Sequence, residues 1–223
     1  MTARSAGHKQ GEVEELVTRA QAGDEAAFEA LVAQFSARIY NFVSRMVQDP
    51  TEAQDVAQET FVRAFQALKS FRGASSFQTW LYRIASNLAI DAARRKKRRQ
   101  WDVVSLDDPV EGEDQGEVGR DFPDENMHTP AEEMERAETR RQVWEAVAEL
   151  SDKLRPVIIL YDLQGLSYQE VAHVLGCPMG TVKSRLFNAR SQLREKLKQR
   201  MVLSPAGGPE TQPETKPGKL GQA

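Results

Sequence analysis

The chain has 223 residues and a net charge of −3, with 40% hydrophobic and 28% charged residues, which is typical of one globular domain or two small ones. No apolar run reaches the ~18–20 residues of a membrane span, and residues 1–15 lack the apolar core of an export signal, so we expect a cytoplasmic protein. The single cysteine, Cys177, cannot form an internal disulfide, and the three histidines are scattered. We therefore expect no metal site and no cofactor.

Helical patterns dominate residues 12–99, and strand patterns are nearly absent. A short amphipathic stretch ends at Gly23, and Asp24 is placed to cap a second helix. That helix has an apolar stripe at spacings of three and four: Phe28, Leu31, Phe35, Ile39 and Phe42. The next helix has a strong start signal: Asp49 is placed as the N-cap, Pro50 is at the first helical position, and Glu52 follows three residues after the cap. A disordered N-terminus is expected over residues 1–11.

A change of composition separates this helical domain from a second one. Residues 100–138 hold fourteen acidic residues against two arginines, and periodicity is lost as far as Thr129. Such a segment buries too little apolar surface to offset its ordering entropy, so we predict a flexible acidic linker over 100–129. A second helical domain is predicted over 130–200, and a disordered Pro/Gly-rich tail over 201–223. The predicted fold class is all-α, with two small helical domains.

The second domain contains the pattern of a helix-turn-helix. Ser167 and Glu170 form a capping box, Gly176 is placed to end that short helix, and another helix starts near Gly180. Its predicted buried side carries Val182, Leu186, Ala189 and Leu193. The rest of its surface is polar and basic, which suits phosphate and base contacts in a major groove. The residues proposed there for DNA binding are Thr181, Lys183, Ser184, Phe187, Asn188, Arg190 and Arg194.

Aromatic and basic residues alternate at the end of the first domain. Four aromatic residues fall within twelve positions: Phe71, Phe77, Trp80 and Tyr82. Two arginines lie beside them, and six consecutive cations follow at 94–99. Aromatic rings can stack on unpaired bases while arginine and lysine meet phosphates. The pattern indicates single-stranded nucleic acid binding by Trp80, Arg83, Arg94 and Arg95, although Trp80 fits a core position equally well. Asn87, a polar residue in a good helix, is a further candidate.

Three stretches in this order resemble successive conserved regions of a bacterial RNA polymerase sigma factor of the extracytoplasmic-function (ECF) group: 49–68, 71–98 and 163–195. The resemblance covers roughly residues 12–200. It implies a non-catalytic subunit that gives core RNA polymerase its promoter specificity, binding the −35 and −10 elements and melting the DNA. It also implies three kinds of partner: the β′ and β subunits of the polymerase, promoter DNA and an anti-sigma protein.

The resemblance further implies roles for individual residues. The helix that packs on the β′ subunit carries Asp55, Gln58, Glu59 and Phe61. The loop that captures a flipped base of the −10 element carries Phe71, Arg72, Ser75 and Ser76, and the following helix contacts that base through Asn87. The −35 recognition helix carries Lys183, Ser184, Phe187, Asn188 and Arg190. Because some members have an arginine where this chain has Asn188, their −35 preference does not transfer.

Several alternatives stay open on the sequence. A stand-alone helix-turn-helix regulator would explain the second domain but not the aromatic-rich stretch or the docking-like segment 55–61. A nuclease that binds Mg²⁺ through its acidic segment is disfavoured, because metal carboxylates need a rigid framework. The linker is either a nucleic-acid mimic in the polymerase or a plain solubilising tether. Cys177 is either a small buried hydrophobe or a redox-sensitive thiol.

Overall fold

The computed structural model describes residues 2–103 and 130–203, which form helices and short turns without a strand in either range. The prediction of an all-α protein with two helical parts is confirmed. The predicted acidic linker beyond Val103 and the predicted tail beyond Leu203 lie outside the described residues.

The first domain is a bundle of four helices. Their bounds are α1 Thr2–Gln21, α2 Glu25–Val47, α3 Pro50–Ala67 and α4 Phe77–Val103, with a 3-10 turn at Leu68–Ser70. The predicted caps are present: the Asp24 carboxylate accepts from the Ala27 N–H, and that of Asp49 accepts from the Glu52 N–H. Each cap satisfies an N–H that the first turn leaves without an intrahelical partner.

The α2 helix supplies the centre of the first core, because α1, α3 and α4 all pack against it. Its predicted apolar stripe is buried from Leu31 to Phe42, while Phe28 is half-buried at the margin. Two edge-on aromatic contacts join α2 to α4: Phe35 with Phe77 at 5.5 Å and Phe42 with Tyr82 at 5.4 Å between ring centroids. These contacts fix the axial position of α4, which carries the predicted DNA-binding residues.

The second domain contains four helices. They are α5 Pro130–Ala148, α6 Arg155–Ile158, α7 Tyr168–Leu175 and α8 Met179–Leu203, and a π-helical turn at Ile159–Leu163 continues α6. The reciprocal capping box of Ser167 and Glu170 opens α7, and Gly176 ends it with φ +59°. Only glycine adopts that left-handed backbone without a steric penalty. The predicted helix-turn-helix is therefore formed by α7 and α8.

Burial and ion pairs hold α8 in the second domain. Val182, Leu186 and Ala189 are buried, and Leu193 is half-buried against the core. Further along, the Arg200 guanidinium bonds the carboxylates of Glu145 on α5 and of Glu149 directly after α5, and Lys196 also bonds Glu149. Hydrogen bonds from Lys196 and Arg200 lower the pKa of Glu149. The C-terminal half of α8 is thus tied to α5 and the residue after it, whereas the N-terminal half is held by its buried side chains and leaves its outer face exposed.

Two predicted boundaries differ from the structure. The N-terminal segment 1–11 was expected to be disordered, but α1 already begins at Thr2. Residues 2–10 contain no proline and several good helix formers, so the helix extends backwards from its amphipathic part. Likewise α4 continues to Val103, beyond the expected linker start at 100, because the basic run consists of strong helix formers.

Candidate nucleic-acid and polymerase interfaces

An aromatic cluster stands at the junction of loop 71–76 and α4. The Phe71 ring lies 5.0 Å from the Trp80 ring and 6.1 Å from the Phe77 ring, and Phe77 lies 5.7 Å from Trp80. Phe77 is buried, whereas Phe71 and Trp80 are half-buried. Trp80 therefore combines the two roles that the sequence left open: one side packs on the core and the other side faces solvent.

Loop 71–76 is held from both ends. The Ser76 hydroxyl accepts from the Thr79 N–H at 3.1 Å and so caps α4. On the other side, the Gln21 amide of α1 donates to the carbonyl oxygens of Leu68, at 3.0 Å, and Phe71, at 2.7 Å. Between these anchors Arg72 is exposed and Ser75 is half-exposed. Sequence reasoning missed Gln21, because a polar residue at the end of a helix gives no signal of a contact 50 residues away.

The exposed face of α4 continues from this loop. Trp80, Arg83 and Asn87 recur at spacings of three and four, so they share one helix face, and both Arg83 and Asn87 are exposed. The structure thus places Trp80, Arg83 and Asn87 in sequence along the first half of α4, starting next to the loop. Arg94 and Arg95 are also exposed, but they lie about two turns further along the helix.

The basic run at 94–99 is partly engaged in ion pairs. Arg94 lies 3.9 Å from Asp91, and the Lys96 ammonium lies 3.8 Å from the Asp49 carboxylate that caps α3. Arg95 and Arg98 are exposed. The cations of this run whose side chains the structure describes therefore point in different directions around the helix axis.

The exposed face of α3 is acidic at one end and apolar at the other. Asp55 and Gln58 are exposed, and the Glu59 carboxylate bonds Arg63 at 2.7 Å. Predicted Phe61 is half-buried and packs against the core. Beyond it, Val62 and Phe65 are 49% and 51% exposed, and the Phe65 ring meets the Phe28 ring edge-on at 5.0 Å.

Val62 and Phe65 are the residues of this face that sequence reasoning missed. Two large apolar side chains half in water on one helix form a patch of the kind that a partner protein covers. Their spacing relative to Gln58 and Glu59 was visible in the sequence. Their exposure was not, because Phe61 and Phe65 look equally suited to the core.

The outer face of α8 presents four of the predicted −35 residues to solvent. Lys183, Ser184 and Asn188 are exposed, and Phe187 is 74% exposed. Thr181 is half-buried at the start of the helix, and Arg194 is exposed two turns beyond Phe187. The buried positions of α8 alternate with these residues, so packing fixes which face is turned outward.

A tyrosine pair lies beneath this face. Tyr161 and Tyr168 stack with ring centroids 4.5 Å apart, and Lys183 lies 5.7 Å above Tyr168. Arg190 lies 5.5 Å from the Tyr161 ring and bonds the Asp162 carboxylate through both Nε and Nη2. The bond to Asp162 raises the pKa of Arg190. Arg190 is thus held by its own domain, unlike the neighbouring Asn188.

Cys177 lies in the turn between α7 and α8 and is half-buried against the core, with its sulfur 3.8 Å from the Arg185 guanidinium. In the two ranges that the structure covers, no three His, Cys, Asp or Glu residues gather into a metal-binding group. None of the helices described is both long enough and apolar enough to cross a membrane.

Family models match both domains. The model described as sigma-70 region 2 matches residues 31–99, and the model described as sigma-70, region 4 matches residues 140–193. The RNA polymerase sigma-H factor of Pseudomonas aeruginosa is 40% identical over 184 residues, which cover 82% of this chain and 93% of that protein. The ECF RNA polymerase sigma-E factor of Haemophilus influenzae is 38% identical over 182 residues, covering 82% and 93%. The chain belongs to the ECF group of the sigma-70 family.

Two solved structures agree with this assignment. CnrH, in complex with the cytosolic domain of CnrY, has a TM-score of 0.60 and 26% identity, covering 84% of this chain and 98% of CnrH. The sigma factor RpoE of Bartonella quintana, in complex with the anti-sigma factor NepR, has a TM-score of 0.58 and 25% identity, covering 77% and 96%. The chain is a sigma factor, and a stand-alone helix-turn-helix regulator is not favoured.

Proposed function

We propose that this sigma factor opens promoters by capturing one base of the −10 non-template strand at loop 71–76 and the exposed face of α4. The observation that carries the proposal is an anchored loop bearing exposed Arg72, followed by one face of α4 that bears Trp80, Arg83 and Asn87. A half-exposed ring offers stacking, Asn87 offers hydrogen bonds to a base edge, and the arginines offer phosphate contacts. Together these contacts offset the few kcal/mol that unstacking one base costs.

The −35 element would be bound by the outer face of α8, which in this proposal enters the major groove. Lys183, Ser184 and Asn188 supply donors and acceptors to base edges, and Phe187 supplies an apolar contact. Thr181 and Arg194 stand at the two ends of that face, where the groove walls bring the phosphates close. Arg190, bonded to Asp162, has a first role in holding α8, and its contact with DNA requires that bond to be shared.

Core polymerase would dock on the exposed face of α3. The acidic end of that face, with Asp55, Gln58 and Glu59, suits a basic surface of the β′ subunit. The apolar end, with Val62 and Phe65, supplies the buried contact that gives affinity. Predicted Phe61 supports this face from beneath, since it packs against the core.

The remaining parts of the proposal concern the working context of the chain. It would act as a non-catalytic subunit in the bacterial cytoplasm, where RNA polymerase works, with the region 2 domain over 12–99 and the region 4 domain over 130–200. Both structural relatives described above carry an anti-sigma or cytosolic partner domain in their structures, which supports an anti-sigma partner here as well. The acidic linker would pass through the polymerase as a mimic of nucleic acid.

Transcription of fragmented genomic DNA from the source organism by core polymerase, with and without the protein, tests the proposal. Sequencing of the RNA 5′ ends is expected to give start sites that need the protein and share two upstream elements. Specific duplex binding by the protein alone, with no new start site on adding core polymerase, would overturn it in favour of a stand-alone regulator.

A further inference from the structure

An ion pair joins α8 to the π-helical turn at Ile159–Leu163. The Arg190 Nε donates to one carboxylate oxygen of Asp162 at 3.1 Å, and Nη2 bonds the other oxygen. This fork uses two of the three guanidinium nitrogens, and the third, Nη1, takes no part in it. The Arg190 side chain is 52% exposed. The fork therefore fixes the plane of a guanidinium that a partner in solvent still reaches.

An aromatic ring restrains the same guanidinium from a second direction. The guanidinium carbon of Arg190 lies 5.5 Å from the centroid of the Tyr161 ring, and that ring stacks on Tyr168 at 4.5 Å. Tyr168 is the first residue of α7, so part of the support comes from the helix-turn-helix itself. One contact in the plane of the guanidinium and one on its face leave the side chain with little rotamer freedom.

The π-helical turn brings two neighbouring residues, Tyr161 and Asp162, to the same guanidinium. In this turn the Gln164 N–H donates to the Ile159 oxygen at 3.0 Å, an i to i+5 bond in place of the α-helical i to i+4 bond. Turns of this kind are rare, and they occur frequently at functional sites. One short turn thus supplies both supports of Arg190.

The ion pair contributes only modestly to the stability of the domain. An exposed pair has a small net effect, because water competes for both charges. The buried side of α8, with Val182, Leu186 and Ala189, already fixes the helix. Loss of the pair therefore disturbs the orientation of Arg190 more than it disturbs the fold.

The charge of Asp162 has an opposing effect on DNA. Asp162, Arg190, Arg194 and Lys198 line one shallow groove between the π-helical turn and α8, so a carboxylate lies among cations. A negative charge there repels the phosphates of any duplex, whatever its sequence. On charge alone, loss of Asp162 would tighten binding to every DNA. A role in orienting Arg190 instead predicts a loss that is confined to the correctly bound duplex.

From this geometry we infer that Asp162 is a positioning residue for −35 recognition, which holds the Arg190 guanidinium so that Nη1 meets a backbone phosphate beside the element. The inference rests on the −35 role proposed above for α8. Phosphate contacts fix the register of a protein on its duplex, and an arginine that is oriented in advance loses less side-chain freedom when it makes one. The oriented Arg190 therefore favours the correctly seated complex over other registers.

Asp162→Asn tests the inference in holoenzyme reconstituted from core polymerase and the full-length chain. The amide keeps the shape of the carboxylate but has one acceptor oxygen, so the fork is lost. The templates are a promoter found by the 5′-end sequencing and the same promoter with a scrambled −35 element. The ratio of the two affinities is expected to fall about two- to tenfold, because the charge effect is common to both templates and cancels in the ratio.

Methylphosphonate substitution locates the phosphate. Replacement of single phosphates around the −35 element by this neutral group is expected to weaken wild-type binding about tenfold at one position, as for a lost charge-assisted hydrogen bond. Asp162→Asn is expected to be less sensitive at that position. So is Arg190→Lys, which keeps the charge but cannot form the fork. A residue that only stabilised the fold would change the affinity for every backbone alike.

Two further variants serve as rescue and control. Asp162→Glu restores a carboxylate that can form the fork, so its affinity ratio is expected to stay within about twofold of the wild type. Glu195→Gln also replaces an acid by an amide, but it breaks the pair with Lys198, 3.2 Å away, and leaves the pair of Arg190 intact. Its affinity ratio is expected to equal that of the wild type. Circular dichroism verifies the helix content of each protein.

An unchanged affinity ratio in Asp162→Asn would contradict the inference, as would equal sensitivity of the wild type and both fork variants to every methylphosphonate. In either case, a wild-type holoenzyme that prefers the native −35 element keeps the proposed function of α8. A wild-type holoenzyme that binds both templates equally contradicts that function, and the inference falls with it.

Discussion

The side-chain amide of Gln21 reaches across the first domain to the backbone of Phe71, to which it donates a hydrogen bond of 2.7 Å. The same amide also donates to Leu68, at 3.0 Å, so one residue at the end of α1 fixes both sides of the turn that leads into loop 71–76. A loop that reads an extruded base needs its backbone held in place before the base arrives.

Replacement of Gln21 by leucine removes both hydrogen bonds and is expected to slow base capture about five- to 150-fold, at about 0.5–1.5 kcal/mol for each net hydrogen bond. The measurement is the fluorescence of 2-aminopurine at the captured position of a forked −10 template with reconstituted holoenzyme. Thr18→Ala is the control, because its hydroxyl bonds Glu14 within α1. Weakened core binding in step with slowed capture would mean that Gln21 acts only on the fold.

Asn87→Ala is expected to impair promoter opening about tenfold or more while core binding stays unchanged, because a lost bidentate base contact is worth about 1–3 kcal/mol. Asn87 is exposed, so the substitution leaves no buried group without a partner. Permanganate reactivity of unpaired thymines reports the opening. Asp91→Ala, one turn further along the exposed side of α4, is the control. Equal losses in opening and in core binding would refute the assignment.

Phe65→Ser is expected to weaken binding to core polymerase about tenfold or more, since an aromatic anchor at the centre of an interface contributes about 2 kcal/mol. Thermal unfolding is expected to change little, because the ring is half in water and loses one edge contact to Phe28. Gln34→Ala, at an exposed position of α2 instead of α3, serves as the control. If both variants bind the polymerase like the wild type, the apolar end of α3 has another partner.

Phe187 is expected to contact the methyl group of a thymine in the −35 element, because an apolar ring in a major groove has few other favourable contacts. Replacement of single thymines in that element by deoxyuridine removes one methyl group each and is expected to reduce wild-type transcription about fourfold at one position, at about 0.8 kcal/mol per methyl. Phe187→Ala should not distinguish the two templates. Deoxyuridine in the spacer is the matched control, and equal sensitivity of both proteins would exclude the contact.

Local features of the fold could be predicted because their causes are local. Asp24, Asp49 and Ser167 each satisfy an N–H three residues ahead, and Gly176 has the left-handed backbone that a helix end requires. The inward side of α8 followed in the same way from the spacing of Val182, Leu186 and Ala189. The family resemblance then supplied the functions, which residue chemistry alone left open.

The features that sequence reasoning missed depend on contacts between distant parts of the chain. The bond from Gln21 to Phe71 spans 50 residues, and the bond from Arg155 to Met46 spans 109. Neither has a periodic signal. Similarly, Arg190 was expected to be free for phosphate, but a bond to Asp162 engages it 28 residues away. Residue type and helical spacing predict which polar residues face outward, and only the packed structure shows which of them already have a hydrogen-bond partner.

The stacking of Arg45 on Trp144 gives the molecule a built-in optical reporter. The indole is half-buried between the domains, with a guanidinium over its ring. Separation of the domains transfers that ring to water, which shifts indole fluorescence to longer wavelength and changes its quenching. Subtraction of the emission of a Trp144→Phe variant would isolate this signal and leave Trp80 of the proposed −10 site in place. The arrival of polymerase, promoter DNA or an anti-sigma protein could then be timed in a stopped-flow instrument without a dye.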